Sequence, residues 1–165
     1  MSIILITGSG KRLGRGLAIE FAKQNYDVII HYNSSKNLAE KTYNEIIALG
    51  QKCFLFKADL RNTKEMEYGF KKIIEKFAYP DILVNNAAIY PQKNNLKDTS
   101  IELWNDVINT NLTSYFAMSR IFAENAKTGS RIINIASLGA FKIFKGRIPY
   151  NVSKAGVIQL TKALA

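Results

Sequence analysis

Hydrophobic positions along the chain alternate between short unbroken runs and longer segments in which apolar residues recur every three or four positions. The short runs are rich in β-branched and aromatic residues, and they predict strands at Ser2–Ile6, Tyr26–Tyr32, Cys53–Phe56, Asp81–Val84 and Arg131–Ala136. The longer segments predict helices. The first carries an apolar stripe at Leu13, Leu17, Ala18, Phe21 and Ala22, and the others cover Leu38–Leu49, Lys64–Phe77, Ile101–Ala126 and the stretch that opens at Pro149.

Strands that are apolar on both faces, each followed by a helix, indicate parallel strands joined by crossovers. The predicted fold class is therefore α/β, a doubly wound, three-layer, Rossmann-like sheet, and residues 1–165 are expected to form a single domain. Right-handed crossovers and the common strand order of such sheets give an expected order of 3-2-1-4-5 for the five strands. Ligands of such sheets bind outside the carboxyl ends of the strands, where the polar loop Tyr90–Ser100 follows the fourth strand.

Composition and charge narrow the function classes. The net charge is +10, but lysine and arginine are scattered along the chain, which favours a small polyanionic ligand over nucleic acid. The single Cys53 lies in an apolar run and is expected to be a buried, reduced thiol of a cytoplasmic protein. With one cysteine and one histidine, no metal site is expected. The opening residues are too short an apolar run for a membrane span and lack a basic leader, so no membrane association is expected.

A glycine-rich turn joins the first predicted strand to the first predicted helix. Gly8 and Gly14 let the backbone pass close to a pyrophosphate, whose charge would meet the positive end of the helix. The spacing differs from the usual G-x-G-x-x-G, and an ordinary strand-to-helix turn remains the alternative.

Five motifs together carry a resemblance to a known family: "TGSGKRLG" at Thr7–Gly14, "NNAA" at Asn85–Ala88, "NTNL" at Asn109–Leu112, "INIAS" at Ile133–Ser137 and "YNVSK" at Tyr150–Lys154. In this order and spacing the chain resembles a short-chain dehydrogenase/reductase over essentially its whole length. Arg12 stands where that family has a glycine, a form found in pteridine reductases, whose loop also commonly reads as Lys11–Arg15 does here.

The end of the second strand indicates which nicotinamide cofactor is bound. No carboxylate follows it before Glu40, and a carboxylate there would accept from a ribose 2′-hydroxyl and repel a 2′-phosphate. NADP(H) is therefore predicted; a polar helix start with a serine N-cap is compatible with it. The resemblance, together with this turn, assigns the cofactor to Gly8, Lys11, Arg12, Leu13, Gly14, Tyr32, Asn33, Ser34, Ser35, Asp59, Leu60, Asn86, Ala87, Ala88, Tyr150 and Lys154. For Asp59, capping of the third helix is an equal alternative.

A tyrosine four residues before a lysine occurs three times, at Tyr32/Lys36, Tyr68/Lys72 and Tyr150/Lys154. Only the last pair has the family's companions, Ser137 and Asn111. A phenol in water holds its proton to about pH 10, and an ammonium one helical turn away favours the phenolate. Tyr150 is thus the expected general acid and Lys154 its electrostatic partner. By resemblance, Lys154 also donates to the nicotinamide ribose, Ser137 binds the substrate oxygen, and Asn111 holds a water that links Lys154 to solvent.

The resemblance leaves the substrate open. Ser137 favours a carbonyl or 3-oxoacyl substrate, because pteridine reductases typically have aspartate there, whereas the Lys11–Arg15 loop favours a pterin. A dinucleotide-binding module without catalysis is the alternative from another class. Family members are usually longer and form homo-oligomers, dimers or tetramers. We therefore expect a truncated form or fragment without the usual sixth strand, lid and interface segment, and little turnover from residues 1–165 alone.

Overall fold

The computed structural model describes residues 2–165, and its centre is a five-stranded parallel sheet. The strands are β1 (Ile3–Ile6), β2 (Asp27–Tyr32), β3 (Cys53–Lys57), β4 (Ile82–Asn85) and β5 (Arg131–Asn134). Their order is β3-β2-β1-β4-β5, and every pairing is parallel, which confirms the predicted fold and strand order.

Helices cover both faces of this sheet. They are α1 (Arg12–Lys23), α2 (Lys36–Ala48), α3 (Thr63–Lys76), α4 (Ile101–Ile108), α5 (Ser114–Ala123) and α6 (Ile148–Leu164). A π-helical turn, Asn109–Thr113, joins α4 to α5, and a short 3₁₀ turn, Leu138–Ala140, lies between β5 and α6.

The alternation of side chains along the strands divides the core into two layers. Leu5, Ile29 and Leu83 point to the face covered by α3 and α5, where Phe70 and Phe122 are buried with them. The neighbouring strand residues pack on the opposite face against α1 and α2; they are Ile4, Ile6, Val28, Ile30 and Val84. Burial on both faces explains why the strands are continuous apolar runs in the sequence.

Four local predictions need correction. The segment predicted as one helix at Ile101–Ala126 contains the π-helical turn and ends at Ala123. The fifth strand ends at Asn134, before Ala136. Leu13 does not join the apolar stripe of α1, because it is 59% exposed beside the glycine-rich turn. The cap of α3 is Asn62, whose side chain accepts from the backbone N–H groups of Lys64 and Glu65, so Asp59 does not cap that helix.

Cys53 is buried at the start of β3, and burial raises the pKa of its thiol to about 12. This agrees with the expectation of an inert, reduced thiol. Among residues 2–165, every helix falls short of the length and apolar character needed to cross a membrane.

Candidate functional site

A cavity of about 570 Å³ opens at the carboxyl edge of the sheet. Its walls come from the segments that follow all five strands, together with α4 and α6. All of the residues assigned to the cofactor from the sequence line it: Gly8, Lys11, Arg12, Leu13, Gly14, Tyr32, Asn33, Ser34, Ser35, Asp59, Leu60, Asn86, Ala87, Ala88, Tyr150 and Lys154. The cavity therefore brings the predicted residues into one place.

The glycine-rich turn is held close to the segment after β4. Gly8 has a φ of 65°, in the left-handed region that favours glycine. A Cβ added to Gly14 would lie 2.6 Å from Asn86 Nδ2, which donates to the carbonyl oxygen of Thr7 at 2.8 Å. Because Gly14 has no side chain, the first turn of α1 packs directly against the segments that follow β1 and β4.

Arg12 has a left-handed backbone conformation, which glycine adopts more readily. Its φ is 52°, which costs a non-glycine residue roughly 1 kcal/mol or more. Arg12 and its neighbour Lys11 are exposed and line the cavity at the start of α1. Two cations thus stand at the positive end of the helix, an arrangement suited to phosphate.

His31, which the sequence analysis did not single out, anchors this turn from β2. Its Nδ1 accepts from the Gly8 N–H at 2.9 Å, and its Nε2 lies 3.0 Å from the carbonyl oxygen of Ala58. Burial lowers the pKa of His31 to about 4, so the ring is neutral near pH 7. Because Nδ1 is an acceptor, the proton is on Nε2 and is donated to Ala58. The imidazole therefore fixes the turn relative to the end of β3.

Asp59 and Arg61, after β3, form a charged bridge at the cavity wall. Arg61 donates to Asp59 and to Asp106 of α4, each at 2.7 Å. The hydrogen bonds from the Arg61 side chain hold the pKa of Asp59 below its usual value, and those two carboxylates raise the pKa of Arg61. The bridge offsets the negative charge of Asp59 inside the cavity.

Of the four predicted catalytic residues, two line the cavity and two lie outside its wall. Tyr150 and Lys154 line the cavity from α6. Ser137 directly follows the lining residue Ala136, and its Oγ accepts from the Gly139 N–H at 3.1 Å. Asn111 is buried behind the wall, in the π-helical turn, a distortion that is frequent at functional sites.

Asn111 uses its side chain to hold the loop after β4. Its Oδ1 accepts from the Ile89 N–H at 2.8 Å, and its Nδ2 donates to the Ile89 carbonyl at 3.0 Å and to Ser153 Oγ at 3.2 Å. The amide is therefore committed to protein partners. Its sequence-derived role, to hold a water beside Lys154, stays a prediction.

Aromatic residues surround the ring of Tyr150. Tyr90 meets it edge-on with ring centroids 4.7 Å apart, and Phe144 lies nearly parallel to it at 6.4 Å. The Arg147 guanidinium sits 4.3 Å from the centroid of Tyr90. Asn151 fixes the Phe144 segment, accepting from its N–H at 3.2 Å and donating to its carbonyl at 2.9 Å. Packing against Tyr90 of the polar loop and against Phe144 thus fixes the orientation of the Tyr150 ring.

Lys154 is buried, with 2% of its surface exposed. Its ammonium donates to the carbonyl oxygen of Ile135 at 2.7 Å and to the hydroxyl of Tyr115 at 3.2 Å. Burial lowers the pKa of Lys154 to about 8, so it remains mainly protonated at pH 7.

The other two tyrosine–lysine pairs lie in different surroundings. Tyr68 is exposed on α3, and Lys72 bonds Glu75 at 2.9 Å on the same helix surface. Tyr32 ends β2 while Lys36 begins α2, so that pair does not share a helical face.

The sequence did not reveal seven residues of the cavity wall: His31, Arg61, Ile89, Asp106, Thr110, Ile135 and Ala136.

Comparisons with known proteins agree with this architecture. A family model described as short chain dehydrogenase matches residues 2–165. The 3-oxoacyl-(acyl-carrier-protein) reductase of Staphylococcus epidermidis is 34% identical over 163 residues, which cover 98% of this chain and 66% of that protein. The chain thus spans just under two thirds of the length of this curated relative.

Two solved structures show the same fold. A short chain dehydrogenase from Burkholderia cenocepacia in complex with NADP has a TM-score of 0.94 and 29% identity, over 99% of this chain and 66% of that one. A variant of actinorhodin polyketide ketoreductase with NADPH has a TM-score of 0.89 and 30% identity, over 99% of this chain and 63% of that one.

Proposed function

Because this chain belongs to the short-chain dehydrogenase family, we propose that the protein reduces a carbonyl group with NADPH and that Tyr150 donates the proton. One observation carries the proposal. Tyr150 and Lys154, which the sequence pairs on one helix, line the same cavity as the glycine-rich turn. A proton donor and a dinucleotide seat in one cavity are what a carbonyl reduction needs.

The residues of the cavity fit a phosphorylated dinucleotide. Gly14 has no side chain, which leaves room for a pyrophosphate beside the start of α1. The cavity wall contains four cationic side chains and two carboxylates, so its net charge favours an anion. The cations are Lys11, Arg12, Arg61 and Lys154, and the carboxylates are Asp59 and Asp106. When bound, NADPH supplies the hydride that reduces the carbonyl carbon. Lys11, Arg12 and the turn Asn33–Ser35 would hold its 2′-phosphate.

We propose one role for each of the chain's own groups. Tyr150 gives its proton to the carbonyl oxygen as the carbon is reduced. The Lys154 ammonium, one helical turn away, stabilises the phenolate that remains. Ser137, next to the lining residue Ala136, would turn its hydroxyl to the substrate oxygen and stabilise the charge that develops there. Asn111 fixes the Ile89 backbone beside them.

For the substrate we favour a 3-oxoacyl group or another small ketone or aldehyde. Two observations support this class: Ser137 in place of an aspartate, and the likeness to a 3-oxoacyl-(acyl-carrier-protein) reductase. The Lys11–Arg15 sequence supports a pteridine as the second candidate.

The test is NADPH oxidation, followed by absorbance, with a 3-oxoacyl thioester, simple ketones and aldehydes, and a dihydropterin. The full-length gene product is used. We expect turnover with the thioester or a simple carbonyl. Turnover with the dihydropterin alone would support the second candidate, and tight NADPH binding without any turnover would support a non-catalytic dinucleotide-binding module.

Cofactor choice can be tested at Ser34, an exposed residue of the cavity wall. We expect Ser34→Asp to weaken NADPH binding about tenfold or more, because a carboxylate near the 2′-phosphate adds like-charge repulsion of roughly 1–4 kcal/mol. NADH, which lacks that phosphate, should bind as before. Titrations followed by nicotinamide fluorescence give both dissociation constants.

Ser34→Asn is the matched control for the aspartate variant, since it adds similar volume without charge. Its NADPH affinity should stay close to that of the wild-type chain. Equal NADPH affinity in Ser34→Asp and Ser34→Asn would contradict the assignment of the 2′-phosphate to this turn.

The proposal includes a homo-oligomer, a dimer or tetramer, and a cytoplasmic location. Phe116 on α5 and Val152 on α6 are large apolar side chains with about half of their surface exposed, which supports pairing through these helices. The buried, reduced Cys53 supports a reducing compartment.

A further inference from the structure

The lysine of the proposed active site contacts a tyrosine other than Tyr150. Tyr115, on α5, is completely buried and is among the largest side chains to be so. Its hydroxyl lies 3.2 Å from Lys154 Nζ and 3.5 Å from the carbonyl oxygen of Ile135. The Lys154 ammonium also stands 5.0 Å from the centroid of the Tyr115 ring, within cation–π range.

These three groups form a closed set of hydrogen bonds. Lys154 donates to Tyr115 and to Ile135, and the Tyr115 hydroxyl donates its own proton to Ile135. An ammonium has three N–H donors, so one remains for the cavity that Lys154 lines. Two fixed acceptors behind the ammonium thus determine where its third N–H points.

Tyr115 can serve as an acceptor because it keeps its proton. Burial raises the pKa of Tyr115 well above its ordinary value, and the neighbouring Tyr150 raises it further. A neutral hydroxyl accepts from an ammonium and leaves Tyr150 as the one phenol of the two that lines the cavity. Tyr115 is therefore not a second proton donor.

We infer that Tyr115 is a positioning residue for Lys154: its hydroxyl holds the lysine in the ammonium form and aims it at the cavity. This inference rests on the proposed function for its catalytic meaning. The role is separate from the one predicted for Asn111, which was to hold a water linking Lys154 to solvent, and the Asn111 amide itself bonds Ile89 and Ser153.

Few other titratable groups lie close enough to Lys154 to affect the protonation of its ammonium. Tyr150 shares α6 with Lys154, and Tyr115 faces it from α5; on the side of β5 the partner is the neutral carbonyl of Ile135. The remaining titratable residues of the cavity wall belong to the glycine-rich turn, to β2, to the loop after β3 and to α4; they are Lys11, Arg12, His31, Tyr32, Asp59, Arg61 and Asp106. Arg61 already pairs with the two carboxylates.

The test is Tyr115→Phe, which removes the hydroxyl and keeps the ring. Burial lowers the pKa of Lys154 to about 8, and the loss of an acceptor for its ammonium should lower that pKa further. We expect the titration midpoint of the Lys154 ε-carbon, measured by NMR on the ¹³C-lysine-labelled chain, to fall by about one pH unit. In the full-length product, the alkaline limb of NADPH oxidation should move to lower pH by the same amount.

Tyr79→Phe is the matched control, because Tyr79 also donates a half-buried hydroxyl to a backbone carbonyl, that of Phe122. Its Lys154 midpoint should equal that of the wild type. An unchanged midpoint in Tyr115→Phe, or an equal shift in both variants, would overturn the inference. Should Tyr115→Phe not fold, a slowly exchanging Tyr115 hydroxyl proton with an NOE to the Lys154 side chain supports it in the wild type, and the lack of that signal overturns it. A shifted midpoint in a protein without NADPH turnover would reject the proposed function alone.

Discussion

Tyr150→Phe is expected to lower the rate of NADPH oxidation about 10²- to 10⁴-fold and to leave the dissociation constant of NADPH nearly unchanged. The substitution removes the proton donor but keeps the ring that packs against Tyr90 and Phe144. Because these contacts orient the helix start and involve only the ring, the cavity should keep its shape. Steady-state rates and fluorescence titrations with NADPH separate the two effects.

The chain offers a close control for this substitution. Tyr68 also stands four residues before a lysine, but on the exposed surface of α3. Tyr68→Phe should turn over at the wild-type rate. If Tyr150→Phe retains the wild-type rate as well, Tyr150 is not the general acid and the catalytic assignment fails.

Gly14→Ala should weaken NADPH binding by roughly 5- to 150-fold, the range that corresponds to an overpacking cost of about 1–3 kcal/mol. The added Cβ would lie 2.6 Å from Asn86 Nδ2 and 2.8 Å from the Cα of Ser9. Neither atom is the end of a long flexible side chain, so α1 must move away from the turn. That movement separates the helix start from the place where the pyrophosphate would lie.

Gly16, two residues further along α1, provides the control for Gly14. A Cβ there would meet nothing within 4 Å among the described residues, so Gly16→Ala should stabilise the helix by about 0.5–1 kcal/mol and leave NADPH binding intact. Urea unfolding and NADPH titration on both variants check this pair. Unchanged NADPH affinity in Gly14→Ala would contradict the placement of the pyrophosphate at this turn.

The fold was predictable because its signals are local. Each buried parallel strand is a short apolar run, and apolar residues recur with helical spacing in each crossover helix. The strand order followed from right-handed crossovers together with the commonest order of doubly wound sheets. The cofactor residues were predictable for a related reason. They lie on turns directly after the strands, and the fold brings those turns to one edge of the sheet.

The roles of Arg61, His31 and Tyr115 depend on contacts between distant parts of the chain. Arg61 reaches Asp106, 45 residues away, and no local pattern connects the two. In the sequence, His31 is one residue of a buried strand. Its function in the glycine-rich turn becomes visible only when the structure places it beside Gly8. Tyr115 meets Lys154 across 39 residues. Composition and periodicity contain no information on such pairs.

The π-helical turn between α4 and α5 sets the phase of the residues that follow it. Asp106 and Thr110 line the cavity four residues apart, and Tyr115, five residues after Thr110, is the one that meets Lys154. In a regular helix position 114 would continue this stripe, but here the backbone N–H of Ser114 donates to the carbonyl of Asn109, five residues earlier. Relatives should therefore be aligned here by helical angle rather than by residue count, because a homologue without the widened turn would present a different column of the alignment to its lysine.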